Sequence, residues 1–144
     1  MLVTDVIAED HRRFQRLFLE LEAARPPVSE VLERLIDELD VHARAEEAVF
    51  YPAVREVSRR IDDAEAGHEH MRTLIDAARA AEPASLEFAE ALLQLKQTVL
   101  NHAMEEEAGV FMDAARLGLD KLAALGATME EEKRALRGAH RKAA

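Results

Sequence analysis

"VHARAEEAVFYP", residues 41–52, sets a histidine (His42) and a glutamate (Glu46) four positions apart among apolar residues at helical spacing. Residues four apart in an α-helix stand one turn apart on one face. Both polar side chains therefore fall where the helix would otherwise bury leucine. Sixty residues on, "NHAMEEEAGVFM" at 101–112 repeats the arrangement with His102 and Glu106. Two such pairs decide the reading of the chain, because each places a carboxylate where burial is costly unless something compensates it.

Working outward, the spacing predicts helices over 4–24 with Thr4 or Asp5 as N-cap, over 29–51 from a capping Ser29, over 61–81 and over 85–115. Pro52 ends or kinks the second of these. A short fifth helix over 128–136 would lie outside the others, with Glu130, Glu131 and Glu132 in its first turn and the basic tail "RGAHRKAA" fraying beyond it. No stretch alternates like a strand. Short connections favour antiparallel neighbours, so the expected fold is all-α: an up-down-up-down four-helix bundle with a short C-terminal fifth helix.

The length fits one domain over 1–144, with the bundle at about 3–115 and the last helix and tail at 116–144. Without cysteine, disulfides, thiolate metal sites and iron–sulfur clusters are excluded. A net charge of −10 argues against nucleic acid as a partner. No apolar run approaches a membrane span, and acids come too early for a signal peptide, so a cytoplasmic protein is expected. The sequence sets no oligomeric state.

The core stripes can be written out. They are Ile7, His11, Phe14, Phe18 and Leu21; Leu32, Leu35, Leu39, His42, Glu46 and Val49; Ile61, Ala64, His68, Met71, Ile75 and Ala78; and Phe88, Leu92, Leu95, Val99, His102 and Glu106. Four histidines and two glutamates sit on these stripes. The chain also repeats itself: each helix pair reads His, then His-x-x-x-Glu, with 31 residues from His11 to His42 and 34 from His68 to His102. Counted from the turns at about 1.5 Å per residue, the four histidines lie at similar levels, about 20 Å or slightly more from their hairpin ends.

A lone buried histidine is ordinarily a hydrogen-bonded core residue. Six donors, repeated in both halves and level with one another, instead make a metal site. Four imidazoles and two carboxylates divide into two metals, each with two histidines, bridged by both glutamates. That set suits iron, with zinc or manganese as substitutes. Elsewhere, His70 should point away from the site and His140 should lie at the surface with the tail. Glu105 is read as surface, and Glu47 and Glu107 as solvated or as hydrogen-bond supports for the ligands. Phe14, Phe18, Met71, Phe111 and Tyr51 are read as packing.

The order "DH" (His11), "HARAEEAVFYP" (His42, Glu46), "GHEHMR" (His68) and "NHAMEEEAGVF" (His102, Glu106) resembles the hemerythrin-like, or HHE cation-binding, domain over about residues 3–115. The segment "LAALGATMEEEKRAL" is likewise similar to bacterial members. The resemblance implies a four-helix bundle holding a non-haem di-iron centre, carboxylate-bridged and oxo- or hydroxo-bridged, with His11, His42, Glu46, His68, His102 and Glu106 as ligands. It implies O2, peroxide or nitric oxide as the small ligand, in oxygen binding or sensing, in turnover or iron-centre repair, or else an iron or zinc store. Two positions depart from the oxygen-carrying members. Arg72 stands where they have a further histidine, and Glu106 and Glu107 stand four and five residues after His102, where they have an aspartate at five.

Overall fold

The computed structural model describes residues 1–143, and those residues form helices and short connections without a strand. Helix α1 (Val3–Ala23) begins slightly earlier than its sequence signal: the Leu2 amide donates to Asp5 Oδ2 (3.2 Å), so Asp5 closes the first turn from within. Val3 is fully buried, and this packing draws the first turn into the helix. Helix α2 (29–54) runs as Ser29–Ala45 and then through a π-helical turn, Glu46–Phe50. It resumes as Tyr51–Val54. Pro52 therefore does not end the helix. It has no amide hydrogen to contribute, and a widened turn just before it relieves the clash a proline makes in an α-helix interior.

Helix α3 (Ile61–Ala80) matches its expected span. Helix α4 (86–114) starts with Ser85 Oγ accepting the Phe88 amide (3.1 Å), an N-cap at the residue where the sequence places the start of this helix. It too passes through a π-helical turn, Glu106–Val110, before Phe111–Ala114. A 3-10 turn (Ala115–Leu117) and Gly118, at φ 87°, lead into helix α5 (Leu119–Ala143). The four-helix bundle with a fifth helix is as expected.

Helix α5 is longer than its periodicity marks, starting nine residues before Thr128. Glu130, Glu131 and Glu132 thus lie mid-helix, and the basic segment to Ala143 is helical rather than frayed. Two features extend it. At its end Arg137 donates to Glu38 (3.1 Å) and His140 bonds Asp40 (2.8 Å) on α2. Near its start, Gly126 allows a close crossing over the N-terminus of α1, where an added Cβ would lie 2.2 Å from the Met1 carbonyl oxygen.

Helix α5 packs across α1 and α2. The bundle interior divides into two apolar clusters. One holds Phe14, Phe18, Leu35, Leu39, Met71 and Leu95; the other holds Ile7, Phe50, Val54, Ile61, Val110 and Met129. Between them, on all four bundle helices, the expected stripe is interrupted by His11, His42 with Glu46, His68, and His102 with Glu106. Among the described residues, no helix is long and apolar enough to cross a membrane.

Candidate metal centre

All six sequence-predicted residues meet in this layer. Candidate donor atoms of His11, His42 and Glu106 lie within 4.8 Å of one another, and so do those of Glu46, His68 and His102. The two groups share an edge. His42 Nε2 is 2.9 Å from Glu46 Oε1, which is also 3.2 Å from His68 Nε2. Glu106 lies 3.3 Å from His11 Nε2 through Oε1 and 3.6 Å from His102 Nε2 through Oε2. Each glutamate thus touches histidines of both groups, the arrangement a bridging carboxylate requires. Five of the six residues are buried; the His102 side chain keeps 17% of its surface.

The donors are underpaired for a protein interior. His11 Nε2, Glu46 Oε2 and Glu106 Oε1 are buried without a hydrogen-bond partner in the protein. Buried carboxylates left this way cost several kcal/mol. Five carboxylates (Asp10, Glu46, Glu47, Glu106 and Glu107) face two cations, Lys133 and Arg72. This imbalance shows in the titration. Burial works against a cation at His42, yet Glu46 and Asp10 raise it to about 10. His68 rises to about 9 against its own burial because Glu46 and Glu47 face it. Burial would raise Glu46, but His42 and His68 pull it well below the usual carboxylate range. The pocket is built for positive charge, and its donor set fits a pair of metal cations that displace protons on binding.

Three of the four imidazoles are fixed from behind. His42 Nδ1 meets Asp10 Oδ2, His68 Nδ1 meets Glu47 Oε2 and His11 Nδ1 meets Glu107 Oε2, each at 2.8 Å. A carboxylate accepts only, so each Nδ1 carries a proton and each Nε2 is turned toward the centre, where a bound cation would take the place of any proton on it. Glu47 and Glu107 therefore take the supporting role of the two open to them. Asp10 was not singled out by the sequence reading, although it adjoins His11. Every supporting acid is adjacent in sequence to one candidate ligand and braces a different one on a neighbouring helix. His102 is the exception: where the repeat places Asp10 before His11, it places Gly67 before His68. A Cβ at Gly67 would lie 2.7 Å from His102 Nδ1.

The largest correction concerns Tyr51, expected to be packing. Its hydroxyl donates to Glu106 Oε2 (2.7 Å) and lies 3.3 Å from His68 Nε2 and 3.4 Å from His102 Nε2. In an unbroken α-helix Tyr51 would sit about 140° around from Glu46. The π-helical turn between them brings it back onto the same face. Burial, then Glu46 and Glu106, push its phenol far above the ordinary value, so it keeps its proton.

The description of a hemerythrin HHE cation binding domain matches residues 2–114. The chain belongs to this family. Among curated proteins, a DNA nickase of Nostoc sp. (strain PCC 7120 / SAG 25.82 / UTEX 2576) is 34% identical over 115 residues, covering 77% of this chain and 33% of that protein. The chain thus spans about a third of that relative's length. Among solved structures, a hemerythrin HHE cation binding domain-containing protein from Mycobacterium kansasii superposes with a TM-score of 0.87 at 22% identity, covering 96% of this chain and 89% of that one. That likeness is one of fold.

Membership in the HHE family makes metal-cation binding a function of the domain, and the His/Glu groups of this layer could hold such a cation. Arg72, at the position of the oxygen carriers' extra histidine, clamps Glu47 with two hydrogen bonds (2.8 and 3.1 Å) and so acts behind His68. His70 and Glu105 are exposed, as expected. His140 is partly buried against Asp40 and Asp37, contrary to a free surface position. A pocket of about 180 Å³ reaches His102 and Glu106 from the surface past Arg60 and Asp63. On the other side a chamber of about 20 Å³ is walled by Phe14, Met71 and Val99, room for about one small molecule.

Proposed function

We propose that His11, His42, Glu46, His68, His102 and Glu106 hold two iron ions, and that this centre engages dioxygen or another small oxidant. The observation that carries the reading is the layer itself: six convergent donor residues, five of them buried, between two apolar clusters, with three of their atoms lacking a hydrogen-bond partner in the protein. Held by these residues, an iron pair would supply one-electron redox chemistry.

The remaining roles belong to the chain. Glu46 and Glu106 span the two histidine groups and hold them at fixed separation. Asp10, Glu47 and Glu107 keep Nδ1 protonated on three rings, leaving Nε2 free to bind. Phe14, Met71 and Val99 limit water on one side, and the pocket beside His102 gives a small ligand its approach. Tyr51 holds a proton against Glu106 and faces His68 and His102, within reach of a species that gains electrons there. A proton donor so placed favours reduction of the ligand, as in peroxide or nitric-oxide turnover, over reversible carriage. The net charge of −10 supports a small-molecule rather than a DNA-backbone partner for this chain.

The test is elemental analysis after expression in iron-supplemented medium, with absorption spectra before and after dithionite and then air. Near two irons per chain, with a near-ultraviolet band that bleaches on reduction and returns on oxidation, is the expected result. Glu46→Ala should lower metal content while the metal-free fold persists. Zinc alone would turn the reading to a structural or storage site, and a stable protein that takes up no metal would overturn it.

A further inference from the structure

On α5 the buried stripe runs Leu122, Gly126, Met129, Lys133 and Leu136, at steps of four and three. A lysine therefore occupies a core position on a helix that lies beyond the residues matched by the family description. Its side chain is 6% exposed, and burying an ammonium is expensive unless a partner compensates it. The partner is Asp10: Lys133 Nζ donates to Oδ1 at 2.6 Å, while Oδ2 of the same carboxylate takes the His42 Nδ1 proton at 2.8 Å. Each Asp10 oxygen has one task. A continuous buried path thus runs from α5 through α1 to His42 on α2.

We propose that Lys133 is a positioning residue of the metal centre. By fixing the Asp10 carboxylate it sets the orientation of the His42 ring, and so how tightly the ion on the His11–His42 side is held. The proposal rests on the two-metal reading above. It gives α5 a part in the site, although α5 contributes no donor to either metal group. The three supports also become unequal. Glu47 is clamped by the partly exposed Arg72, and the Glu107 side chain is 45% exposed, whereas Asp10 is clamped in the interior.

The experiment titrates chelator-stripped full-length protein with Co2+, whose visible bands report ligand geometry without redox chemistry. Wild type is compared with Lys133→Met, Asp10→Asn, the double variant and Leu136→Ala, which loosens α5 packing without touching Asp10. Lys133→Met and Asp10→Asn are each expected to weaken one of the two Co2+ sites about 10- to 100-fold and to shift that ion's bands. The double variant should be no weaker than Asp10→Asn, because Lys133 acts through that carboxylate. Leu136→Ala should lower the melting temperature and leave both affinities unchanged.

The proposal is overturned if Lys133→Met leaves affinities and bands unaltered, if its loss adds in full to that of Asp10→Asn, or if Leu136→Ala reproduces it. Should Lys133→Met fail to fold, Asp10→Asn alone decides: unchanged affinity and bands overturn the path, while a loss confined to one ion supports it. Wild-type protein that takes up no Co2+ at all would instead count against the two-metal reading.

Discussion

The Tyr51 hydroxyl oxygen lies 2.7 Å from Glu106 Oε2 and donates its proton to it, in a layer otherwise made of candidate metal donors. Replacing it by Phe removes that proton and little volume. Tyr51→Phe should therefore keep metal content near wild type and slow the reaction of the reduced protein with peroxide by about 10²-fold, the scale of a positioned general acid. Stopped-flow kinetics on the metal-loaded variant checks this, and an unchanged rate would return Tyr51 to packing. At this scale the sequence was unevenly legible. The six donors could be read because polar residues on an apolar stripe break a strict period. Tyr51 could not, because its direction depends on a π-helical turn that an ideal 3.6-residue period does not contain. The signal lay one residue on, in Pro52, which cannot sit inside an undisturbed helix. The supporting acids left a fainter trace, adjacent to a ligand in "DH" and twice in "EE", but the period alone does not show that each reaches across to a neighbouring helix.

Among the elements, α5 was the least legible. Gly126 is a poor helix former, yet it sits within the helix, where the backbone of Met1 to Val3 crosses it too closely for a Cβ. Gly126→Ala sets a gain of about 1 kcal/mol in helix propensity against an overpacking cost of about 1–3 kcal/mol where the opposing atoms are backbone. The expected result is net destabilisation in urea unfolding; a stabilised variant would mean that α5 shifts freely. The connection between α2 and α3 offers a pH test. Ser58 donates to Asp113 Oδ2 (2.7 Å) and Arg60 Nε donates to the same oxygen (3.2 Å), tying that connection to α4. Ser58, then Arg60 against slight desolvation, hold Asp113 below its ordinary value. A depressed carboxylate contributes stability that is complete above the unfolded value of about 4 and is lost as pH falls through the folded one. The melting-temperature gap between wild type and Asp113→Ala should thus be widest at neutral pH and narrow on acidification. A gap that stays constant from pH 7 to pH 3 would show that the ionised carboxylate is not its source.

The molecule as a whole is two apolar clusters with a charged layer between them. Its bundle was legible because four stripes of similar length and short turns admit few arrangements. The full membership of each cluster was not, since the stripes mark the level at which the core is interrupted but not which residues of neighbouring helices meet on either side of it. The interruption has a consequence for cooperativity. With its partnerless carboxylate and imidazole atoms, the layer is a seam along which the two ends of the bundle can open separately. Cations that bind histidines from all four helices would stitch that seam. In hydrogen–deuterium exchange, amides near Leu35 and Leu95 should be protected to a different degree from those near Val54 and Met129 in chelator-stripped protein. On metal loading, the two sets should converge on one opening free energy. If they already exchange as one unit without metal, the clusters are coupled through the helices themselves. If they converge only with metal, the centre proposed to engage a small molecule is also what makes this chain unfold as one body.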